Sequence, residues 1–95
     1  MRSNERPLGD VIREVLRKYR LQDHLEETRI AELWPKICGR MIALHTLSVS
    51  VHGKVLFVKL DSGALRQELG YRKKKLLGMI NSAAGHEAIE DIVFS

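Results

Sequence analysis

Three groups of residues in this chain have types and spacing that suit chemistry. The first is Cys38 with His45, the only cysteine and a nearby histidine, inside the stretch WPKICGRMIALHT that also holds the only tryptophan, Trp34. A thiolate beside an imidazole is a nucleophile, provided that a third group orients the base and donors await an oxyanion. The sequence offers neither. Cys38 lies beside Ile37 near the end of an apolar helical face, where a free cysteine acts as a small buried hydrophobe. No catalytic residue is therefore expected. The second group is the histidines His24, His45, His52 and His86, which share no helix-face or tight-turn spacing and have no second cysteine to complete a zinc-type set, so no metal site is expected. The glycines are isolated rather than clustered ahead of a helix, which leaves no phosphate loop, no dinucleotide motif and no expected cofactor.

The third group is basic. Arg66, Arg72, Lys73, Lys74 and Lys75 fall on one helical stretch, and Arg13, Arg17 and Arg20 form a row on another. Cations grouped in this way neutralise phosphates and give salt-sensitive, sequence-tolerant binding to nucleic acid. Phe57 and Lys59, two apart on a strand, add a stacking ring beside a cation. A solvated lysine face is the commoner origin of a short basic run, and a partner contact or simple partial burial is an equal reading of Phe57.

The elements that must position these groups follow from periodicity. Ninety-five residues make one domain, because a second core would leave each half too small to offset its chain entropy. Residues 1–6 are expected to be a flexible N-terminus. Sixteen basic against twelve acidic side chains leave a net charge of +4, with the excess in the first helix, the hairpin and the helix around YRKKK, a bias that suits an anionic partner. No apolar run approaches the roughly 20 residues that span a bilayer, and the first ten residues lack the apolar core of a signal peptide. A cytoplasmic location and no membrane partner are expected.

Leu8, Val11, Ile12, Val15, Leu16 and Tyr19 recur at helical spacing behind Pro7, which suits a first turn. A second helix is expected from about Gln22 towards Cys38, kinked or restarted at Pro35, with Gly39 allowing a left-handed exit and one more turn in RMIAL. From Thr46 the period becomes two. Leu47, Val49 and Val51 are predicted inward with Thr46, Ser48, Ser50 and His52 outward, and after the turn at HGK the strand VLFVKL returns with Leu56, Val58 and Leu60 inward. A long helix follows from Asp61 to about Gly85, interrupted at Gly70, with Leu65, Leu69, Leu76, Ile80 and Ala83 on its inner stripe. Arg72 would fall inside that stripe on an ideal wheel, so either the helix bends or the arginine reaches out along its alkyl stem. IEDIVFS closes the chain as a strand, with Ile92 and Phe94 inward. The order is α-α-β-β-α-β, an α+β domain whose three-stranded sheet carries helices on one face.

The ordered set of Trp34, Gly39, His45 and Thr46, then GKVLFVKLDSGALRQELGYRKKKLLGMIN, then IEDIVF, resembles the bacterial DciA-type proteins over about residues 8–95. The resemblance implies a KH-like fold and a non-enzymatic role beside the replicative DnaB-type helicase. Proteins of this type bind the helicase and single-stranded or forked DNA, and help to place one on the other. An RNA-binding KH-like module and a protein-interaction domain without nucleic acid are the alternatives, and a monomer or weak oligomer is expected. The G-x-x-G loop of nucleic-acid-binding KH domains is replaced here by GYRKKK, so contacts must rest on basic side chains rather than on a backbone clamp. The chain stops after its last strand, so contacts that relatives make through a terminal extension do not carry over. In this frame WPKICGRMIALHT is a corner. Trp34 anchors the second helix, Gly39 allows the turn, and His45 with Thr46 satisfies backbone groups where the first strand begins.

Overall fold

A computed structural model describes residues 8–18 and 21–95, with the side chains of residues 13, 15–18 and 21–23 left outside that description. The expectation of a flexible segment over 1–6 lies outside the described residues. The described elements begin with α1 (Leu8–Lys18) and α2 (Leu21–Ala31), which pack against each other. Proline acts as a restart rather than a kink. The α2 ladder ends as the Leu33 amide turns back to the Ile30 carbonyl at 3.0 Å, and α3 (Trp34–Cys38) opens with Pro35 in its first turn. A first-turn amide has no intrahelical acceptor, so the proton that proline lacks is not missed there. Gly39 then separates α3 from α4 (Arg40–Leu44) with φ 91° and ψ 163°, an extended conformation at positive φ rather than the left-handed helical exit expected. That region belongs almost wholly to glycine.

Strands β1 (Thr46–His52) and β2 (Val55–Leu60) form an antiparallel hairpin. Gly53 and Lys54 both have positive φ, 56° and 63°, as a two-residue turn matched to strand twist requires. The register runs Thr46 to Leu60 but Ser48 to Lys59, so Leu47 is the extra residue of a β-bulge. This corrects the simple alternation: Leu47 is 60% exposed, and Thr46, expected outward, is half-buried with its hydroxyl beside Trp34. Beyond the bulge Val49, Val51, Leu56, Val58 and Leu60 face the core, while Ser48, Phe57 and Lys59 are exposed.

The helix expected from Asp61 to Gly85 is two helices, α5 (Gly63–Tyr71) and α6 (Lys73–Ala84). Ser62 caps α5 by accepting from the Leu65 amide at 3.3 Å. The break falls at Arg72 (φ −103°, ψ 11°) and not at Gly70. Its physical reason is phase. An unbroken helix would carry Arg72 into the core behind Leu65 and Leu69; breaking there leaves Arg72 61% exposed and returns Leu76 and Ile80 to the interior. The same shift puts Ala84 rather than Ala83 against the core. Gly85 ends α6 in the left-handed region, and the Asn81 side-chain amide then clamps the loop by donating to the Ile89 carbonyl and accepting from the Ile89 N–H, both at 3.0 Å. This holds Ile89 in the core ahead of β3 (Asp91–Phe94).

Strand β3 pairs parallel with β2, giving the sheet order β1-β2-β3. Parallel pairing demands a crossover, which α5 and α6 supply. The order α-α-β-β-α-β holds once the two interrupted helices are each counted together. Ile30, Trp34, Leu56, Val58, Leu69, Ile80, Ile89 and Ile92 are each under 2% exposed and form one core between helices and sheet. Each such side chain contributes about 1.5–3 kcal/mol on burial.

Candidate functional site

The Trp34 ring is fully buried, 5.8 Å from Phe94 of β3 between centroids, and its Nε1 donates to Thr46 Oγ1 at 3.1 Å. The Thr46 hydroxyl in turn donates to the Ile42 carbonyl at 2.8 Å. One relay therefore ties α3, α4 and β1 together. His45 turns its Nδ1 to Asp61 Oδ1 at 2.8 Å, and the Asp61 amide donates to the His45 carbonyl at 3.0 Å. The Cys38 thiol instead points at the Gly39 carbonyl, 3.5 Å away, and burial pushes it up from the ordinary thiol range. A nucleophile needs the opposite shift. Among the described residues, no group of three or more His, Cys, Asp or Glu is placed to hold a metal ion, and no helix is long and apolar enough to cross a membrane.

The basic residues do not form one patch. Arg66 Nη1 donates to the Leu60 carbonyl at 3.2 Å, Arg72 pairs with Glu68 at 2.9 Å, and Lys73 reaches Asp91 on β3 at 3.3 Å. Asp91 is held below the usual carboxylate range, first by the Ile92 amide and then by Lys73. Lys74 and Lys75 are exposed and make no ion pair among the described residues. All three lysines occupy the first turn of α6, where the positive end of the helix dipole disfavours cations, so this end of α6 is strongly electropositive. Arg13 and Arg17 lie on α1, but their side chains are outside the described residues.

Two further surfaces adjoin this helix pair. Arg72 and Lys75, one turn apart, rim a groove of 500 Å³ between α3–α4 and α6, walled by Ile37 and Ile42 on one side and Leu76 and Met79 on the other. Cys38 lines it as well. The sequence singled out these cations without showing the groove, since its walls come from helices some forty residues apart. On the exposed sheet face Ser50, Phe57 and Val93 stand in one row, with the His52 ring 6.1 Å from that of Phe57. Sequence reasoning takes Asp61 as the start of the long helix and misses it as the partner of His45. A plain hairpin register about the Gly53–Lys54 turn would set Thr46, not His45, opposite Asp61; the bulge at Leu47 moves the pairing by one.

The family model described as "Dna[CI] antecedent, DciA" matches residues 7–94, nearly all of the chain. The chain belongs to the DciA family. Two UPF0232 proteins, from Mycobacterium marinum (strain ATCC BAA-535 / M) and Mycobacterium ulcerans (strain Agy99), are each 27% identical to it over 86 residues. That alignment covers 90% of this chain and 46% of each relative, so the chain spans about half the length of the curated relatives it matches. The DciA match takes in every element from α1 to β3, and with them the Trp34 corner, the electropositive start of α6 and the groove beside it.

Proposed function

We propose that this DciA-type chain is a non-enzymatic adaptor of DNA replication, which binds the replicative DnaB-type helicase and single-stranded or forked DNA and assists loading of one on the other. Membership of the family over residues 7–94 carries the reading. The surface supports it in two ways. Lys74 and Lys75, without an ion pair among the described residues, are the cations best placed for an external anion, and they sit where the helix dipole adds to their charge. Arg66, Arg72 and Lys73 are weaker contributors, because each already has a partner in the chain. Arg13 and Arg17 of α1 are further candidate phosphate contacts. Strand-separated bases would meet Phe57 on the open sheet face, where a ring stacks without reading sequence. In this proposal the fold is KH-like, a single domain working in the cytoplasm as a monomer or weak oligomer, and the break between α5 and α6 stands where such a fold would carry its phosphate-clamping loop.

The test is binding of a fluorescent forked DNA by the organism's own replicative helicase, with and without this protein, and by this protein alone. More helicase on DNA in its presence is the expected result. Tighter binding to RNA than to DNA, unaffected by helicase, would replace the adaptor with an RNA-binding module. Absence of any salt-dependent nucleic-acid binding, with helicase still bound, would leave a protein-interaction domain.

A further inference from the structure

We infer that the groove between α3–α4 and α6 receives an amphipathic helix of a partner protein, one with an apolar stripe flanked by carboxylates. The groove floor is apolar and, among the described residues, no acidic side chain lines it; the charged side chains there are Arg72 and Lys75. Lys75 has no ion pair among the described residues, and Arg72 is held by the exposed, i,i+4 contact to Glu68, which exchanges readily for another carboxylate. Met79, 40% exposed, supplies the adaptable surface that such grooves use. A helix presenting anchors at i, i+3, i+4 and i+7 would bury them between Ile42 and Leu76 while its flanking carboxylates met the two cations. A nucleic acid would use the cations and gain little from the apolar floor, since phosphates and sugars reward charge and hydrogen bonds.

The other large groove, 360 Å³ beside Glu26 and Glu27, lacks this complementarity. Glu26 is occupied by Arg29 and His86, and Glu27 accepts from the Gly53 amide. That the incoming helix belongs to the replicative helicase rests on the function proposed above; the chemistry of the groove does not.

Cys38, the only cysteine, reports occupancy directly because it lines the groove. The rate at which an aromatic disulfide reagent labels the full chain at mildly alkaline pH is measured alone and with four additions. These are a helical peptide with leucines at i, i+3, i+4 and i+7 flanked by glutamates, its counterpart with lysines for the glutamates, the helicase, and single-stranded DNA. Labelling is expected to slow about tenfold or more with the acidic peptide and with helicase, and not with the lysine peptide. Lys75→Glu and Met79→Asp, both at exposed positions, should abolish that protection with the circular dichroism spectrum unchanged.

Equal protection by both peptides, or none by either peptide or helicase, overturns the proposal. So does protection by DNA with none by the acidic peptide, which would give the groove to nucleic acid. Helicase that binds wild type and both variants equally, leaving Cys38 reactive, removes the groove but not the adaptor. Helicase that fails to bind while the acidic peptide still protects removes the adaptor and keeps the groove.

Discussion

Trp34 shows how much one side chain can hold when its ring and its single polar atom are both used. The ring packs on Phe94 while the indole N–H supplies Thr46, so the residue joins helix and sheet by two different kinds of force. Trp34→Ala should cost about 3–5 kcal/mol as a large core truncation, read from the urea midpoint. Trp34→Phe keeps most of the burial and forfeits the N–H donor, and should cost about 1 kcal/mol from the hydrogen bond alone. Stability that survives the alanine change would remove the anchor. Asp91 offers a second test. Its pKa is depressed in the folded chain, so its contribution is full above the ordinary value of 3.8 and is lost as pH falls through the lower folded value. Asp91→Asn should lower stability at neutral pH and flatten the loss of thermal stability below pH about 4. An unchanged acid limb would mean that Ile92 and Lys73 do not act on this carboxylate.

At the scale of elements, the two helix interruptions have different causes. Proline at 35 is a local instruction, legible from residue type. The break at Arg72 is not local, because neither Arg72 nor its immediate neighbours are helix breakers; it arises when two apolar segments must face one core with an arginine between them. Gly70, the residue whose type suggested the break, is an ordinary helical position with open space where a Cβ would go. Gly70→Ala should therefore stabilise the protein by about 0.5–1 kcal/mol, by thermal melting, through helix propensity and a less flexible unfolded chain. A lower melting temperature would return the break to Gly70. At Gly39 the sign reverses: a Cβ also meets nothing within 4 Å, but φ of 91° with ψ of 163° would strain any other residue, so Gly39→Ala should cost about 1–3 kcal/mol.

For the whole molecule, the net charge of +4 matters less than which cations are free to meet a ligand. Reversing Lys74 and Lys75 together should remove most DNA affinity and reduce the salt slope by about one for each phosphate no longer neutralised, in binding titrations across salt concentration. Reversing Lys73 should weaken DNA binding less and also disturb its tie to Asp91. Equal effects from all three lysines would mean that internal pairing does not govern the interface, and no effect would transfer it to α1 or to the sheet face.

Local residue types determined much of this protein by themselves: the helix-then-strand order, the interruption at Pro35, the hairpin, the inward set Val49, Val51, Leu56, Val58, Leu60, Ile92, and the ordered signature that places the chain in its family. These are short-range matters, settled by period, by proline and glycine geometry and by burial of one face. Tertiary structure alone decided the bulge at Leu47 and hence the His45–Asp61 pair, the phase change at Arg72, and the division of one basic run into cations with and without an ion pair among the described residues. Each of these depends on which distant surface a residue meets. A register shift, a rephased helix or an ion pair is chosen by the joint packing of elements, so periodicity along the chain carries no record of it.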